Sequence, residues 1–330
     1  MSLHRRTLLA TTLAGSTLAA PLAAPARAQG EWRPDKPIRV IVPYTPGAIN
    51  DILARLVAEK MADVFGQLGV VENRPGASGS LGIAAAAQAA PDGGTIAVCN
   101  AANLCMNPFL FANTGYDPRR DIAPLCVTHR LMNALAVRAE SPIRDLRDLI
   151  ARAKAAPGRL SYASSGAGSS PHLAAELLTH QAGLEVVHVP YRGSTPGMID
   201  LIGGRVDYTI DNLPNVLAQV EAGKVRALAV TGTERDPTMP NVPTFLEAGL
   251  PGYAMYVWFG FVGPGSLPPR IRDALAAGIT RIVHGDETRE KLRRAGATLW
   301  PQAPAQFSAL ISAELEKWGT VIRAAGIKVE

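Results

Sequence analysis

Two glycine-bearing stretches of this sequence combine residue types suited to holding an anion. The first is Tyr44-Thr45-Pro46-Gly47-Ala48-Ile49-Asn50-Asp51. Gly47 lets a backbone approach a ligand closely, and Asn50 or Asp51 suits the N-cap of a helix that follows. The second is Ala163-Ser164-Ser165-Gly166-Ala167-Gly168-Ser169-Ser170-Pro171-His172. Here Ser170 suits the N-cap and Pro171 the first helical position, where its missing N–H is no loss. A helix N-terminus carries roughly half a positive charge and several free N–H groups, which makes it a ready anion site. Two such termini facing each other would hold both ends of a dicarboxylate. The same pattern also describes ordinary well-capped turns.

Weaker candidates surround these loops. Arg192 in Val189-Pro190-Tyr191-Arg192-Gly193 could grip a carboxylate bidentately or stand in solvent. Asp211 could accept from a ligand ammonium or hydroxyl, or cap a helix over Pro214 to Gln219. Trp258 could line a pocket, although a strand Trp more often sits in the core. His172, beside the serines, is expected to contact an anion or cap the helix rather than serve a nucleophile.

Motifs for chemistry are missing from the sequence. Gly166-Ala167-Gly168-Ser169-Ser170-Pro171 lacks the third glycine of a dinucleotide loop. There is no Gly-x-Ser-x-Gly elbow, no phosphate-loop Gly-Lys-Ser/Thr and no His-Glu-x-x-His. The six histidines are dispersed. No catalytic residue, metal site or cofactor is therefore expected.

The elements that must position these loops are read from periodicity. Strand-length apolar runs at Ile38–Val42, Val70–Val71, Thr95–Val98, Ala134–Val137, Leu160–Ala163, Val186–Val189, Val206–Ile210, Ala227–Val230 and Tyr256–Val262 alternate with helical patterns. Helices are expected over Asn50–Phe65, Leu81–Ala90, Asp145–Ala155 and Pro171–Gln181, and again from Pro269 onward. The βαβαβ order with near-continuous apolar strands implies an α/β fold built on parallel sheets covered on both faces. Two such units, a stiff link at Asp236–Pro243 and a returning strand suggest two lobes with a cleft at the carboxyl ends of the strands.

Composition bounds the rest. The chain has 330 residues, 47% apolar and 18% charged, which argues against wholesale disorder. Much of the formal net charge of +5 lies at the N-terminus, where Arg5, Arg6 and Arg27 occur with no acid before residue 29. The remaining basic residues are scattered with few aromatics, which excludes a nucleic-acid surface. His4-Arg5-Arg6, the apolar run from Thr7 to Leu22 and Ala26-Arg27-Ala28 read as an export signal cleaved after Ala28, by the general or the twin-arginine route. The run is too short for a lasting membrane anchor. Cys99, Cys105 and Cys126 have no zinc-like spacing, and read either as buried small apolar residues or, for Cys99 and Cys105, as a disulfide.

With these residues in view, the sequence resembles the Bug/TctC family of periplasmic solute receptors, which serve tripartite tricarboxylate transporters. The match rests on Pro37-Ile38-Arg39-Val40-Ile41-Val42-Pro43, Val71-Glu72-Asn73-Arg74-Pro75-Gly76-Ala77, Tyr162-Ala163-Ser164-Ser165-Gly166, Ser170-Pro171-His172-Leu173, His188-Val189-Pro190-Tyr191-Arg192-Gly193, Asp211-Asn212-Leu213-Pro214, and Glu247-Ala248-Gly249-Leu250-Pro251-Gly252. It runs from about residue 33 to the C-terminus. The resemblance implies a two-lobed periplasmic-binding-protein fold of type II-like form with two interlobe crossovers. Residues 29–129 plus 252–330 would form lobe 1, and 130–251 lobe 2. It implies a small carboxylate held between the two loops, partly through water. By motif, the first-loop role falls to Tyr44, Thr45, Gly47, Ala48, Asn50 and Asp51. The second-loop role falls to Ser165, Gly166, Ala167, Gly168, Ser169, Ser170 and His172.

The implied partners are the membrane subunits of such a transporter, or a signalling protein if the receptor serves as a sensor. A monomer suits a shuttle. A secreted α/β hydrolase is the alternative from another class. Where family members usually carry Gly-Gly and then a small residue, this chain has Gly47-Ala48-Ile49. The added side chains narrow the space and favour a smaller or partly apolar acid. Ile49→Gly is expected to shift ligand preference toward larger acids. A competition binding assay that returned an unchanged ranking would remove Ile49 from selectivity.

Overall fold

The computed structural model describes residues 32–46, 49–294 and 296–327. The export signal with its cleavage point after Ala28, the loop residues Gly47 and Ala48, and the side chain of Ile49 lie outside the described residues.

The first part of the chain runs β1 (Ile38–Val42), α1 (Ile49–Phe65), β2 (Gly69–Asn73), α2 (Ser80–Ala87), β3 (Thr95–Asn100), α3 (Asn107–Leu110) and β4 (Ile122–Leu131). The middle runs β5 (Asn133–Arg138), α4 (Leu146–Ala155), β6 (Ser161–Ser164), α5 (Ser170–Ala182), β7 (Val187–Pro190), α6 (Ser194–Ile202), β8 (Tyr208–Asn212), α7 (Leu213–Glu221) and β9 (Val225–Val230). The last part is β10 (Val257–Pro264), α8 (Pro269–His284), α9 (Asp286–Arg294), β11 (Thr298–Gln302) and α10 (Pro304–Ala325).

These strands form two sheets, ordered β11-β4-β10-β3-β1-β2 and β7-β6-β8-β5-β9. The triplets β2-β1-β3 and β7-β6-β8 are parallel, as the βαβαβ pattern requires. The sheets as wholes are mixed, because β10 runs antiparallel to both β3 and β4, and β5 antiparallel to β8 and β9. Periodicity did not expose β4, β11 or α6. The strand expected at Val206–Ile210 is displaced to Tyr208–Asn212, and α2 ends at Ala87 rather than Ala90, before Pro91.

Burial follows the period-two geometry of the strands. Ile38, Val40 and Val42 of β1 pack with Leu53, Val57 and Met61 of α1 and with Ile279 of α8. Ile41, on the opposite face, joins Ala97 and Cys99 of β3, Ile83 of α2 and Phe307 of α10. That second cluster continues without a break into the other sheet through Tyr162, Tyr208 and Leu173. Trp258 sits in it, 1% exposed and edge-on to Phe307, so it belongs to the core. All three cysteines are free and buried.

The chain passes between sheets at Met132 and again between Val230 and Val257. Thr231 ties the two passages together. Its N–H donates to the Asn133 carbonyl (2.9 Å) and its hydroxyl oxygen accepts from Asn133 N–H (2.9 Å). The same hydroxyl donates to the Met255 carbonyl (2.8 Å), and Met255 N–H donates to the Thr231 carbonyl (2.8 Å). Both strand-end edges therefore keep a fixed origin from which the loops project.

The core also holds an ionisable group. His129 of β4 is fully buried, stacked on Phe259 at 4.7 Å, and burial pushes its imidazole down to about 3. The unfolded chain takes up a proton near pH 6.5 that the folded chain refuses. The stability from this group is present in full above that pH and is lost as pH falls toward 3. Linkage puts the loss from His129 alone between pH 7 and pH 5 at about 2 kcal/mol. His129→Phe, which keeps the stack, is expected to flatten the fall in urea-unfolding free energy over that interval by about this amount. An unchanged slope would show that His129 is protonated in the folded protein.

Candidate functional site

A cavity of about 260 Å³ opens where the carboxyl ends of the two parallel triplets face each other. One wall is Tyr44, following β1, together with Ser78 and the turn Asn100–Ala102 that ends β3. The opposite wall is the β6–α5 loop, with Ser165, Ala167, Gly168, Ser169 and Ser170. Met106, Met255 and Val257 supply apolar surface between them. Grooves of about 490 and 620 Å³ lie elsewhere, against α9 and β11, but neither joins the strand ends of both triplets. Among the described lining residues of the 260 Å³ cavity none carries a charge.

The second wall owes its shape to α5. The N-cap is Ser169, not Ser170 as the sequence suggested. Its side chain accepts from His172 N–H (3.4 Å), which places Ser170 and Pro171 at the first and second helical positions. Ser169 can cap because Gly168, at φ +75°, turns the chain sharply ahead of it. Ser169 Oγ also donates to the Gly166 carbonyl (2.6 Å), and Ser170 Oγ donates to Asn212 Oδ1 (3.4 Å). The amides of Ser165 and Ala167 make no hydrogen bond among the described residues, and both residues line the cavity. With the Ser170 N–H, the one amide of the first turn of α5 left free once Pro171 lacks an N–H and the His172 and Leu173 amides donate to Ser169, they are the donors an anion would meet.

His172 is not a cleft residue. It is 4% exposed and lies behind the loop, where Nδ1 accepts from Gly168 N–H (3.0 Å). The histidines that look dispersed in sequence are not all so in space. The His172 and His188 rings stack at 3.9 Å and 8°. Burial, with His188 as a smaller cause, pushes His172 down to about 3, and burial pushes His188 to about 4. Both rings are therefore neutral near pH 7. A serine–imidazole contact does exist, Ser164 Oγ to His188 Nε2 at 2.7 Å, but Ser164 is buried and does not line the cavity.

The first wall is built on Asn100 and Asn103, which are not among the ligand-binding residues expected from the sequence. Asn100 N–H donates to Asn103 Oδ1 (3.0 Å), and Asn103 N–H donates to Asn100 Oδ1 (3.1 Å). This leaves Asn100 Nδ2 to donate to Tyr44 Oη (3.0 Å). Burial pushes the Tyr44 phenol up to about 12, so it keeps its proton and remains a donor. The position of Asn100 at the carboxyl end of β3 was the available signal, since such sheets bind ligands there.

Asn50 and Asp51 lie inside the first turn of α1 rather than capping it. Both are buried. The Asp51 carboxylate accepts from Arg55 Nε (2.9 Å) and from Asn73 Nδ2 (2.9 Å), and the same Asn73 amide donates to the Tyr44 carbonyl (3.0 Å). Asp51 thus braces the first loop and does not reach the cavity lining. Thr45 and Arg192 are exposed and are not part of the lining. Asp211 is buried. It accepts from Ser194 Oγ (2.9 Å) and Asn212 N–H (2.6 Å), and burial holds its carboxyl above the usual range. It braces the start of α6 instead of capping α7, whose N-cap is Asn212.

Comparison with known proteins agrees with this geometry. The description "Tripartite tricarboxylate transporter family receptor" matches residues 53–327. A UPF0065 protein of the tcbD-tcbE intergenic region of Pseudomonas sp. strain P51 is 37% identical over 94% of this chain and 92% of its own. Rpa4515 of R. palustris, solved with adipate, superposes with a TM-score of 0.76 at 36% identity, over 90% of this chain and 99% of that one. MatC of Rhodopseudomonas palustris, solved with bound malate, gives 0.73 at 32% identity, over 88% and 99%. The fold is the two-lobed one of periplasmic binding proteins.

Asp51→Ala removes one of the two acceptors of the half-buried Asn73 amide and the partner of Arg55, and is expected to cost about 1 kcal/mol. Ser169→Ala removes the cap of α5 at about 1 kcal/mol, whereas Ser170→Ala leaves stability nearly unchanged. Urea unfolding of the three variants checks the ranking. Equal losses in Ser169→Ala and Ser170→Ala would return the cap to Ser170.

Proposed function

The chain belongs to the family of tripartite tricarboxylate transporter receptors, and from that premise we propose that it collects a small carboxylate in the cavity between Tyr44 and Ser170 and delivers it to the membrane subunits of such a transporter. The protein is a receptor and not an enzyme. The observation that carries the reading is the uncharged cavity closed on one side by the capped N-terminus of α5 and its loop amides. An anion there gains from the helix dipole and free N–H groups. No buried cation is left stranded when it departs, which suits a protein that must release its cargo.

The two ends of the cavity differ in chemistry. The α5 end offers backbone amides and serine hydroxyls, and the Tyr44–Asn100 end offers neutral side-chain donors, with methionine and valine surface between. A carboxylate at the first end and a carboxylate or hydroxyl at the second, joined by a short apolar body, fits this order. The structures with adipate and malate hold acids of that general kind. Residues 29–129 with 252–330, and residues 130–251, act as the lobes, and a ligand touching both favours the closed form. Residues 1–28 direct export to the periplasm and are removed after Ala28, and the mature chain works as a monomer.

Thermal unfolding of the mature chain with mono-, di- and tricarboxylates, amino acids and aromatic acids tests the reading. An acid at 100 times its dissociation constant contributes about 2.7 kcal/mol and raises the midpoint by several degrees. The reading fails if no acid raises the midpoint and mass spectrometry of the denatured protein finds no acid carried through purification.

A further inference from the structure

The loop that faces the cavity contains two glycines at positive φ, Gly166 at +122° and Gly168 at +75°. Free, such a loop would sample many conformations and lose that freedom on binding. Resting on the receptor reading above, we infer that His172 and His188 are positioning residues for the ligand, a neutral stacked pair that fixes the backbone of residues 164–170 from behind.

A chain of contacts supports this. Gly168 N–H donates to His172 Nδ1 at 3.0 Å, which a ring nitrogen can accept only when it carries no proton. The ring proton therefore sits on Nε2, which lies 3.8 Å from Glu176 Oε1. Glu176 also accepts from the Tyr162 hydroxyl, and burial raises its carboxyl above the usual range. His188 stacks on both His172 and Tyr162 and places Nε2 2.7 Å from Ser164 Oγ. Ser164 Oγ in turn accepts from Gly166 N–H (3.2 Å). The two glycine amides are thus committed backwards, one to His172 directly and one to Ser164 beside His188. The amides of Ser165 and Ala167, which alternate with them, stay unpartnered at the cavity. The imidazoles decide which amides are spent and which remain for the ligand. Neither ring lines the cavity, so neither acts by touching the carboxylate.

Two substitutions at one position separate this role from packing. His172→Asn loses the ring but places an amide oxygen near the Nδ1 position, able to accept from Gly168. His172→Phe keeps the ring and the stack on His188 but cannot accept. Amide hydrogen exchange over residues 164–170 in the unliganded protein is read by mass spectrometry, with the melting midpoint of each variant as a check on folding. Exchange is expected to rise at least tenfold in His172→Phe and to stay within threefold of the native rate in His172→Asn. Calorimetric affinity for adipate, the probe acid, is expected to follow, falling about tenfold in the Phe variant and less than threefold in the Asn variant. The reverse order, with Phe protected and Asn not, would reduce the histidine to packing and overturn the inference. Exchange that separates the variants while adipate affinity stays equal would overturn it as well. Native protein that binds neither adipate nor any acid of the wider screen counts against the receptor reading, and the exchange contrast then decides the positioning role alone.

Discussion

An anion in a cavity without cations is held by dipoles, and dipoles attract only along fixed directions. A lysine can follow a carboxylate that moves by an ångström, whereas a backbone amide cannot. The structure is organised around this restriction. The donors of the β6–α5 loop are oriented by bonds made behind the loop, to His172 Nδ1, Ser164 Oγ and the Gly166 carbonyl. The helix that follows is itself immobilised: Tyr253 donates to the Ala174 carbonyl (2.8 Å), and Leu173 and Leu177 lie in the cluster that contains Phe307 and Trp318 of α10. The backbone of the cavity wall is thus continuous with the largest buried cluster among the described residues.

The opposite wall uses a different device for the same end. The paired bonds between Asn100 and Asn103 close a turn at the end of β3, and Asn100 then steers the Tyr44 hydroxyl. Asn73 joins the Tyr44 carbonyl to Asp51 of α1, so the first loop is pinned to both neighbouring strands of its sheet. The two walls meet through the passages at Met132 and residues 231–256, where one threonine makes four backbone-directed bonds. A tie of this kind limits how the walls slide past each other while leaving them free to approach, which is the motion a shared ligand rewards.

Much of this could be read from the chain. The parallel triplets follow from apolar runs at Ile38–Val42, Thr95–Val98 and Leu160–Ala163, and the β6–α5 loop from its glycines, serines and Pro171. The misreadings share a cause. Strand β4 carries Pro124, Thr128, His129 and Arg130, so its pattern is too polar to read as a core strand, yet it is paired on both sides. Strand β11 is five residues with a proline. The cap moved from Ser170 to Ser169 because two adjacent serines both suit the role, and only the turn at Gly168 decides between them. Asp51, Asp211 and His172 have the polarity of ligand contacts, but the fold uses them as braces one layer behind. A sequence shows that a polar residue must be satisfied and does not show by what.

That layering bears on how such a site changes its ligand. The residues at the cavity are small or neutral, and altering one changes shape or a single hydrogen bond. The residues behind them are buried, ionisable and bound to one another, so altering one releases a loop. Asp211 and Glu176 show the strain of the second group: burial raises both carboxyls, and each relies on hydroxyl donors, Ser194 for one and Tyr162 for the other. Selectivity can therefore drift at Ser78, Met106 or Met255 without loss of the fold, while the donors of the β6–α5 loop stay where they are. The first layer is free to vary because the second is not.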